Sequence, residues 1–267
     1  MNQTEYAGGK MLASVADGVG TVTFNQPEKR NAMSMEMWSG FGEILQSFAA
    51  DPAVRVVVLT GAGDKAFVSG ADISQFEKNR GDSEAREEYD RLTAFGRKTF
   101  ETFGKPTIAR IQGFCIGGGL AIAMNADLRI ASDDSRFGIP AAKLGISYNY
   151  ASVRRLVTLV GPAEARMLLF TGELIGAAEA RQIGLINRVV TLDQLDSIVA
   201  KLARTIAGNA PISVASMKFT IAEAAKDESG ADLAAINASI AKCFDSNDYR
   251  EGRNAFREKR KPVFSGT

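Results

Sequence analysis

Three segments carry residue types that can stabilise or move charge on a small molecule. The first is Gln112-Gly113-Phe114-Cys115-Ile116-Gly117-Gly118-Gly119-Leu120. Three consecutive glycines between an expected strand and an expected helix let the backbone approach a ligand closely. Free amides at a helix start, with the positive end of its dipole, stabilise an anionic oxygen. A flexible turn or tight helix packing would use the same glycines. The run is not a P-loop, since no Lys-Ser or Lys-Thr follows, and it does not match GxGxxG. The second segment is Ala66-Phe67-Val68-Ser69-Gly70-Ala71-Asp72. Gly70 permits a backbone geometry that aims the Ala71 amide outward. An ordinary strand-to-helix turn capped by Asp72 fits the same residues. The third, Phe137 to Tyr150 (FGIPAAKLGISYNY), crowds polar and aromatic residues into a Gly-flanked loop before a helix. Its tyrosines could equally pack on neighbours.

Composition narrows the chemistry. The 267 residues include no histidine. Ser-His-Asp and Cys-His catalysis, His-ligated zinc and an imidazole switch are therefore excluded. Acid–base work falls to carboxylates, Tyr, Lys, Cys or backbone dipoles. With 32 Lys+Arg against 31 Asp+Glu, the net charge is +1. That argues against nucleic acid as a partner. Cys115 and Cys243 are too few for a disulfide framework, which points to a reducing cytoplasm. Cys115 reads as a small buried hydrophobe with nothing nearby in sequence to activate it. No metal-ligand cluster is visible. The N-terminus lacks the basic start and apolar run of a signal peptide. The greasiest stretch, Pro106 to Asn125, contains Arg110, Gln112 and four glycines, so no membrane span is expected.

The elements that must hold these segments follow from periodicity. Residues 11–16 and 19–24 read as a hairpin around Asp17-Gly18. Ser34 can cap a helix whose apolar positions Met37, Phe41, Ile44, Leu45 and Phe48 keep helical spacing. Residues 54–60 (VRVVVLT) form a short buried strand. Residues 76–103 are charged early and amphipathic later, a loop and then a helix. Strands are expected at 107–111, 127–132 and 185–190. Helices are expected at 151–160, 162–170 and 177–183, with Gly161-Pro162 separating the first two. After residue 193 only helices remain: 194–207, 211–225, 230–244 and 248–258. Strands interleaved with helices and followed by helices alone predict an α/β core, residues 1–205, with a C-terminal helical region, residues 206–267.

Taken in order, NQPEKRNAMS, AFVSGADI, QGFCIGGGLAIAMNADLRIAS, FGIPAAKLGI and GPAEARMLLFTGELIGAAEARQIGLINRVV resemble the crotonase, or enoyl-CoA hydratase/isomerase, superfamily. The resemblance runs from the first hairpin to FREKRKPVF at 256–264. It implies a crotonase-like spiral of ββα units and a C-terminal helical region that drives assembly into a homotrimer or homohexamer. It implies an acyl-CoA thioester as partner, in fatty acid metabolism. No separate cofactor is implied, because CoA arrives as part of the substrate. The shared chemistry is stabilisation of a thioester enolate by two backbone amides, which here belong to Ala71 and Gly118. Such donors are worth about 3–4 kcal/mol each. Asp72, Ile73 and Ser74 continue along the acyl-CoA site. Lys29, Arg30 and Ala32 match the loop that meets the nucleotide end, and Phe256 and Lys259 match C-terminal positions that close over CoA. For Lys29, Arg30 and Lys259, plain solvated charge is the competing reading.

The departures from the family pattern set the alternatives. The two glutamates that hold water in family hydratases fall at Ala121 and Ala141. The aspartate of dienoyl isomerases and aryl-CoA dehalogenases falls at Asn149. Tyr148 remains, in a loop similar to that of methylmalonyl-CoA decarboxylase-like members, although those would place His at Ala71. The resemblance implies first an enoyl-CoA hydratase-type lyase whose acid or base is unusual. The charged stretch with Glu77, Asp82, Glu84, Glu87 and Glu88 could supply it, or could be solvated helix surface. A second possibility is a decarboxylase of malonyl-type acyl-CoA using Tyr148, since loss of CO₂ makes the enolate without a base. A third is a non-catalytic acyl-CoA-binding protein. Ala121, Ala141 and Asn149 would line the substrate pocket in each case.

Overall fold

Asp17 and Gly18 both take positive φ, 50° and 81°, as a two-residue hairpin turn requires. They join β2 (Met11–Ala16) to β3 (Val19–Phe24), with Ala16 opposite Val19 and Met11 opposite Phe24. The computed structural model describes residues 3–72, 83–226 and 230–267, without the side chains of 83–89 and 92. An edge strand, β1 (Gln3–Tyr6), pairs antiparallel with β2. Its QTEY sequence has no apolar alternation, which is why periodicity does not reveal it.

Beyond the hairpin the chain makes three rounds of one pattern. β4 (Val56–Gly61) and β5 (Ala66–Val68) precede α2 (Ser83–Glu101); α1 (Met35–Ala50) lies before them. β6 (Thr107–Ile111) and β7 (Phe114–Ile116) precede α3 (Gly118–Asn125). β8 (Leu128–Ser132) and β9 (Arg136–Gly138) precede α4 (Tyr150–Thr171). The first strand of each round joins a seven-stranded sheet that ends with β11 (Arg188–Val190), in the order β1-β2-β3-β4-β6-β8-β11. The second strand joins a smaller sheet, β10-β9-β7-β5, where β10 is Ile175–Gly176. Strands β5, β7 and β9 run parallel. This is the expected spiral of ββα units. The strands of the smaller sheet are two or three residues long, too short for their alternation to be read in the sequence.

The large sheet buries both faces. Val57 and Leu59 of β4 join a core with Phe24, Phe41, Phe67 and Phe100. Met37, Phe41, Ile44 and Leu45 of α1 are fully buried there, each worth about 1.5–3 kcal/mol. The Ser34 side chain caps α1, accepting from the Met37 amide at 3.3 Å. Val56 and Val58 face the other way, against Leu195, Val199, Ala203 and Ala207 of α6 (Leu192–Ala207). Between β10 and β11 lies α5 (Ala177–Gln182). Within α4, Gly161 (φ 77°, ψ 166°) and Pro162 break the helical geometry where the two expected helices meet. The C-terminal helices are α7 (Pro211–Ala224), α8 (Leu233–Asp245) and α9 (Asn247–Glu258). No helix among the described residues is long and apolar enough to cross a membrane.

Candidate active site

Parallel strands all end on the same side of their sheet, and ligands of α/β sheets gather at that edge. Here β5, β7 and β9 are adjacent in the small sheet, with Val68 opposite Cys115 and Ile116 opposite Gly138. The three segments singled out in the sequence leave the C-terminal ends of these strands. Their meeting is thus a product of the repeat.

After β5, Met33 pairs with Ala71 in a single parallel bridge. The Met33 amide donates to Gly70 O at 2.8 Å, and the Asp72 amide donates to Met33 O at 3.0 Å. A parallel bridge of this kind turns the N–H of its middle residue, Ala71, to the opposite side. Gly70 makes the turn possible with φ +118°. After β7, Gly117 adopts φ 54° and ψ −117° and opens α3, a conformation essentially confined to glycine. The first amides of α3 have no intrahelical acceptor. Among the described residues, neither the Ala71 nor the Gly118 N–H has a hydrogen-bond acceptor. The two lie side by side: a methyl carbon built on Gly118 would sit 3.8 Å from the Ala71 nitrogen.

Tyr148 joins them from the segment after β9. Its hydroxyl lies 3.6 Å from where a Gly117 methyl carbon would be, and its ring packs on the main core. Ala121 follows one turn into α3, its amide donating to Gly117 O at 3.0 Å. Ala141 is buried within the 3-10 turn Pro140–Leu144. Both positions present methyl groups only. Asn149 has a structural task, since its Oδ1 accepts from the Ser152 amide at 2.9 Å and caps α4.

The flank of the site carries charge. Lys29 Nζ meets Asp72 Oδ2 at 2.7 Å, with Asp72 buried and Lys29 half exposed. Arg30 lays its guanidinium 5.2 Å from the centre of the Phe114 ring and helps line a cleft of about 270 Å³ with Pro27, Asp64 and Lys65. Ala32 is buried beside them. Phe256 and Lys259 lie elsewhere, in α9 and at its end. Phe256 is 86% exposed and borders an apolar groove of about 680 Å³ with Cys243, Phe244, Tyr249 and Phe264. Ile73, Ser74, Glu77 and Asp82 lie outside the described residues, as do the side chains of Glu84, Glu87 and Glu88. Burial pushes the Cys115 thiol well up from its ordinary value, so it stays protonated. No group of three or more His, Cys, Asp or Glu able to hold a metal occurs among the described residues.

Asn31 is a positioning residue that sequence reasoning misses. Fully buried in the left-handed region (φ 57°), it donates to Ala62 O at 2.9 Å and Ala66 O at 2.8 Å. It also accepts from the Gln26 amide at 3.0 Å. It thus ties the Lys29–Arg30 loop to the entry of β5. An Asn in a polar loop two residues before a buried Met was the available signal.

Comparison with known proteins agrees with this architecture. The family model for enoyl-CoA hydratase/isomerase matches residues 14–267. A short-chain-enoyl-CoA hydratase of Clostridium acetobutylicum is 38% identical over 246 residues, covering 91% of this chain and 92% of that protein. A carnitinyl-CoA dehydratase of Escherichia coli K12 is 34% identical over 254 residues, covering 92% and 94%. The crystal structure of an enoyl-CoA hydratase/carnithine racemase from Magnetospirillum magneticum superposes with a TM-score of 0.92 at 35% identity, covering 99% of this chain and 97% of that one. The chain belongs to the enoyl-CoA hydratase/isomerase family, the crotonase superfamily, whose members act on acyl-CoA thioesters.

Proposed function

We propose that the protein is an acyl-CoA-transforming enzyme of the hydratase type, in which the Ala71 and Gly118 amides form an oxyanion hole for a thioester enolate. The observation that carries this is the pair of adjacent amides that have no acceptor among the described residues. Negative charge develops on the thioester oxygen, and fixed donors stabilise it without reorganising. Lys29, Arg30 and Ala32 take the nucleotide end of CoA beside the charged cleft. Asp72 anchors Lys29 there, and Ile73 and Ser74 are assigned to acyl-CoA binding by the family resemblance. Phe256 and Lys259, which lie apart from these residues within one chain, close over CoA from a neighbouring subunit of the oligomer. Ala121 and Ala141 stand where family hydratases carry glutamates, so neither position brings a carboxylate to the acyl end of the pocket. The exposed Met217, Ile221, Leu233 and Phe244 of the C-terminal helices support assembly into a homotrimer or homohexamer. Residues 1–205 are the catalytic core and 206–267 the assembly region of a cytoplasmic enzyme of fatty acid metabolism.

The Tyr148 hydroxyl beside Gly117 favours a second reading, decarboxylation of a malonyl-type acyl-CoA. Loss of CO₂ leaves its electron pair as the enolate, which the two amides hold. Tyr148 orients the departing carboxylate or returns a proton to the α carbon. Turnover of 2-enoyl-CoA and malonyl-type substrates separates the readings. Wild-type hydration of 2-enoyl-CoA above the background set by Gly118→Pro supports the first, and none above it refutes it. Decarboxylation that Tyr148→Phe suppresses, with thioester binding kept, supports the second. Tight acyl-CoA binding without turnover on either panel would refute both and leave a binding protein.

A further inference from the structure

Arg129 is the one arginine of β8, and its residue is only 4% exposed. Its guanidinium meets carbonyls. Nε donates to Leu185 O at 2.8 Å, and one terminal nitrogen donates to Ala126 O at 2.7 Å and Ala123 O at 3.4 Å. Ala126 is the C-cap of α3, and Ala123 lies in its last turn. The cation therefore sits on the C-terminal end of the helix whose first amide belongs to Gly118.

Burying a full charge costs several kcal/mol. Neutral donors could satisfy the same carbonyls without that cost. No salt bridge to Arg129 occurs among the described residues. Burial, helped by the charge of Arg155 and opposed by Asp127, pushes the guanidinium down to about 10. It still carries its proton at neutral pH. A charge in a poorly polarisable interior reaches far. The eight residues of α3 span about 12 Å at roughly 1.5 Å per residue. An anion just beyond the first turn is then about 15 Å from the guanidinium.

We propose that Arg129 is a positioning residue whose charge, fixed at the C-terminal end of α3, adds to the field that stabilises an anion at the Gly118 end. This rests on the oxyanion reading of Ala71 and Gly118. Unit charges about 12–15 Å apart at an effective dielectric near 20 attract enough to shift an ionisation about fivefold to tenfold. A purely structural cap would affect folding and leave that ionisation alone.

The test uses acetoacetyl-CoA, whose enolate absorbs in the ultraviolet. Its ionisation is titrated with pH while bound to the full-length wild type, to Arg129→Gln and to Arg129→Lys. Melting curves define the range in which each variant is folded. The wild type is expected to lower the ligand's pKa below that of the free thioester. Arg129→Gln is expected to raise it by about 0.7–1 unit, the same fivefold to tenfold, and Arg129→Lys to stay within twofold of wild type. Both variants should melt earlier, because each loses guanidinium hydrogen bonds. A folded Arg129→Gln with wild-type ligand ionisation overturns this inference alone. If Arg129→Gln does not fold, a folded Arg129→Lys that behaves as though the charge were gone overturns it. A wild type that binds the ligand without lowering its pKa refutes the oxyanion reading itself, and this inference with it.

Discussion

Gly119→Ala tests whether the site depends on how closely α3 approaches β5. A methyl carbon built on Gly119 would lie 2.6 Å from the Val68 carbonyl carbon and 2.7 Å from Val68 Cβ, and closer still to the Val68 oxygen. Carbon pairs rest at about 3.5–4.0 Å, so the two segments must part by about 1 Å. Val68 lies three residues before Ala71, and Gly119 follows Gly118, so the opening separates the two amides. Alanine favours a helix over glycine by about 1 kcal/mol. Overpacking against backbone costs about 1–3 kcal/mol, which outweighs that gain or cancels it. The expected result is a lower melting temperature and a fall in kcat/KM of about 100-fold, the scale of a 1 Å misplacement. Gly118→Ala is the control, since its methyl carbon would meet nothing closer than 3.7 Å. Differential scanning fluorimetry and steady-state turnover of whichever acyl-CoA the wild type consumes read the two effects separately. Gly119→Ala with wild-type stability and turnover would refute the geometry. Gly118→Ala losing as much activity as Gly119→Ala would show that a methyl at the site, and not the opened gap, is responsible.

The remaining predictions concern the frame. Glu251 is held down to about 2 by the Arg260 guanidinium and then by the Val263 amide. Its folded pKa lies below the unfolded value near 4.3, so its contribution is complete above that value and lost as pH falls toward 2. The melting difference between wild type and Glu251→Gln should therefore be present at pH 7 and shrink on acidification; a difference constant down to pH 2 would contradict the pairing. Cys115 should react with a thiol reagent only on unfolding, since it is fully buried and its thiol is pushed up. Labelling of Cys115 in the native protein, read by peptide mass, would contradict this. Asn31→Ala should cost about 1–3 kcal/mol by leaving buried backbone groups unpaired. Asn31→Gly should melt above Asn31→Ala, because glycine takes the positive φ freely, and the reverse order would show that backbone conformation is not limiting there.

What could be read in the sequence was what repeats locally. The Asp17-Gly18 hairpin, the apolar stripe of α1 with its Ser34 cap, and the Gly161-Pro162 break each depend on residues within a few positions of one another. The smaller sheet did not show itself, because β5, β7 and β9 are three residues each and only their pairing defines them. The three chemical segments were visible singly. Their convergence sets Gly118 beside Ala71 and Gly117 beside Tyr148, pairs about 30 to 50 residues apart, and local spacing carries no such information. Arg129 and Asn31 were hidden for a related reason. An arginine in a strand and an asparagine in a polar loop look solvated until burial gives them only carbonyls and amides to bond.

Cations at helix ends recur in this fold, and their placement bears on how such a site tolerates change. Lys105 donates to Phe48 O and Asp51 O at the end of α1. Arg55 donates to Ala207 O at the end of α6 and to Phe264 O of the C-terminal tail. Arg129 does the same for α3. Each replaces water at carbonyls that a helix leaves unpaired, and each fixes the helix relative to a neighbouring strand or loop. On the proposed reading this has a direct consequence. A site that works through backbone amides has few side chains to lose, so substitutions of its exposed residues should matter less than in a site built on histidine or glutamate. Sensitivity moves to the glycines that allow close approach and to the buried donors that hold helices from behind. The absence of histidine then describes where catalysis is vulnerable: in the direction of two N–H bonds, set by residues that never touch the substrate.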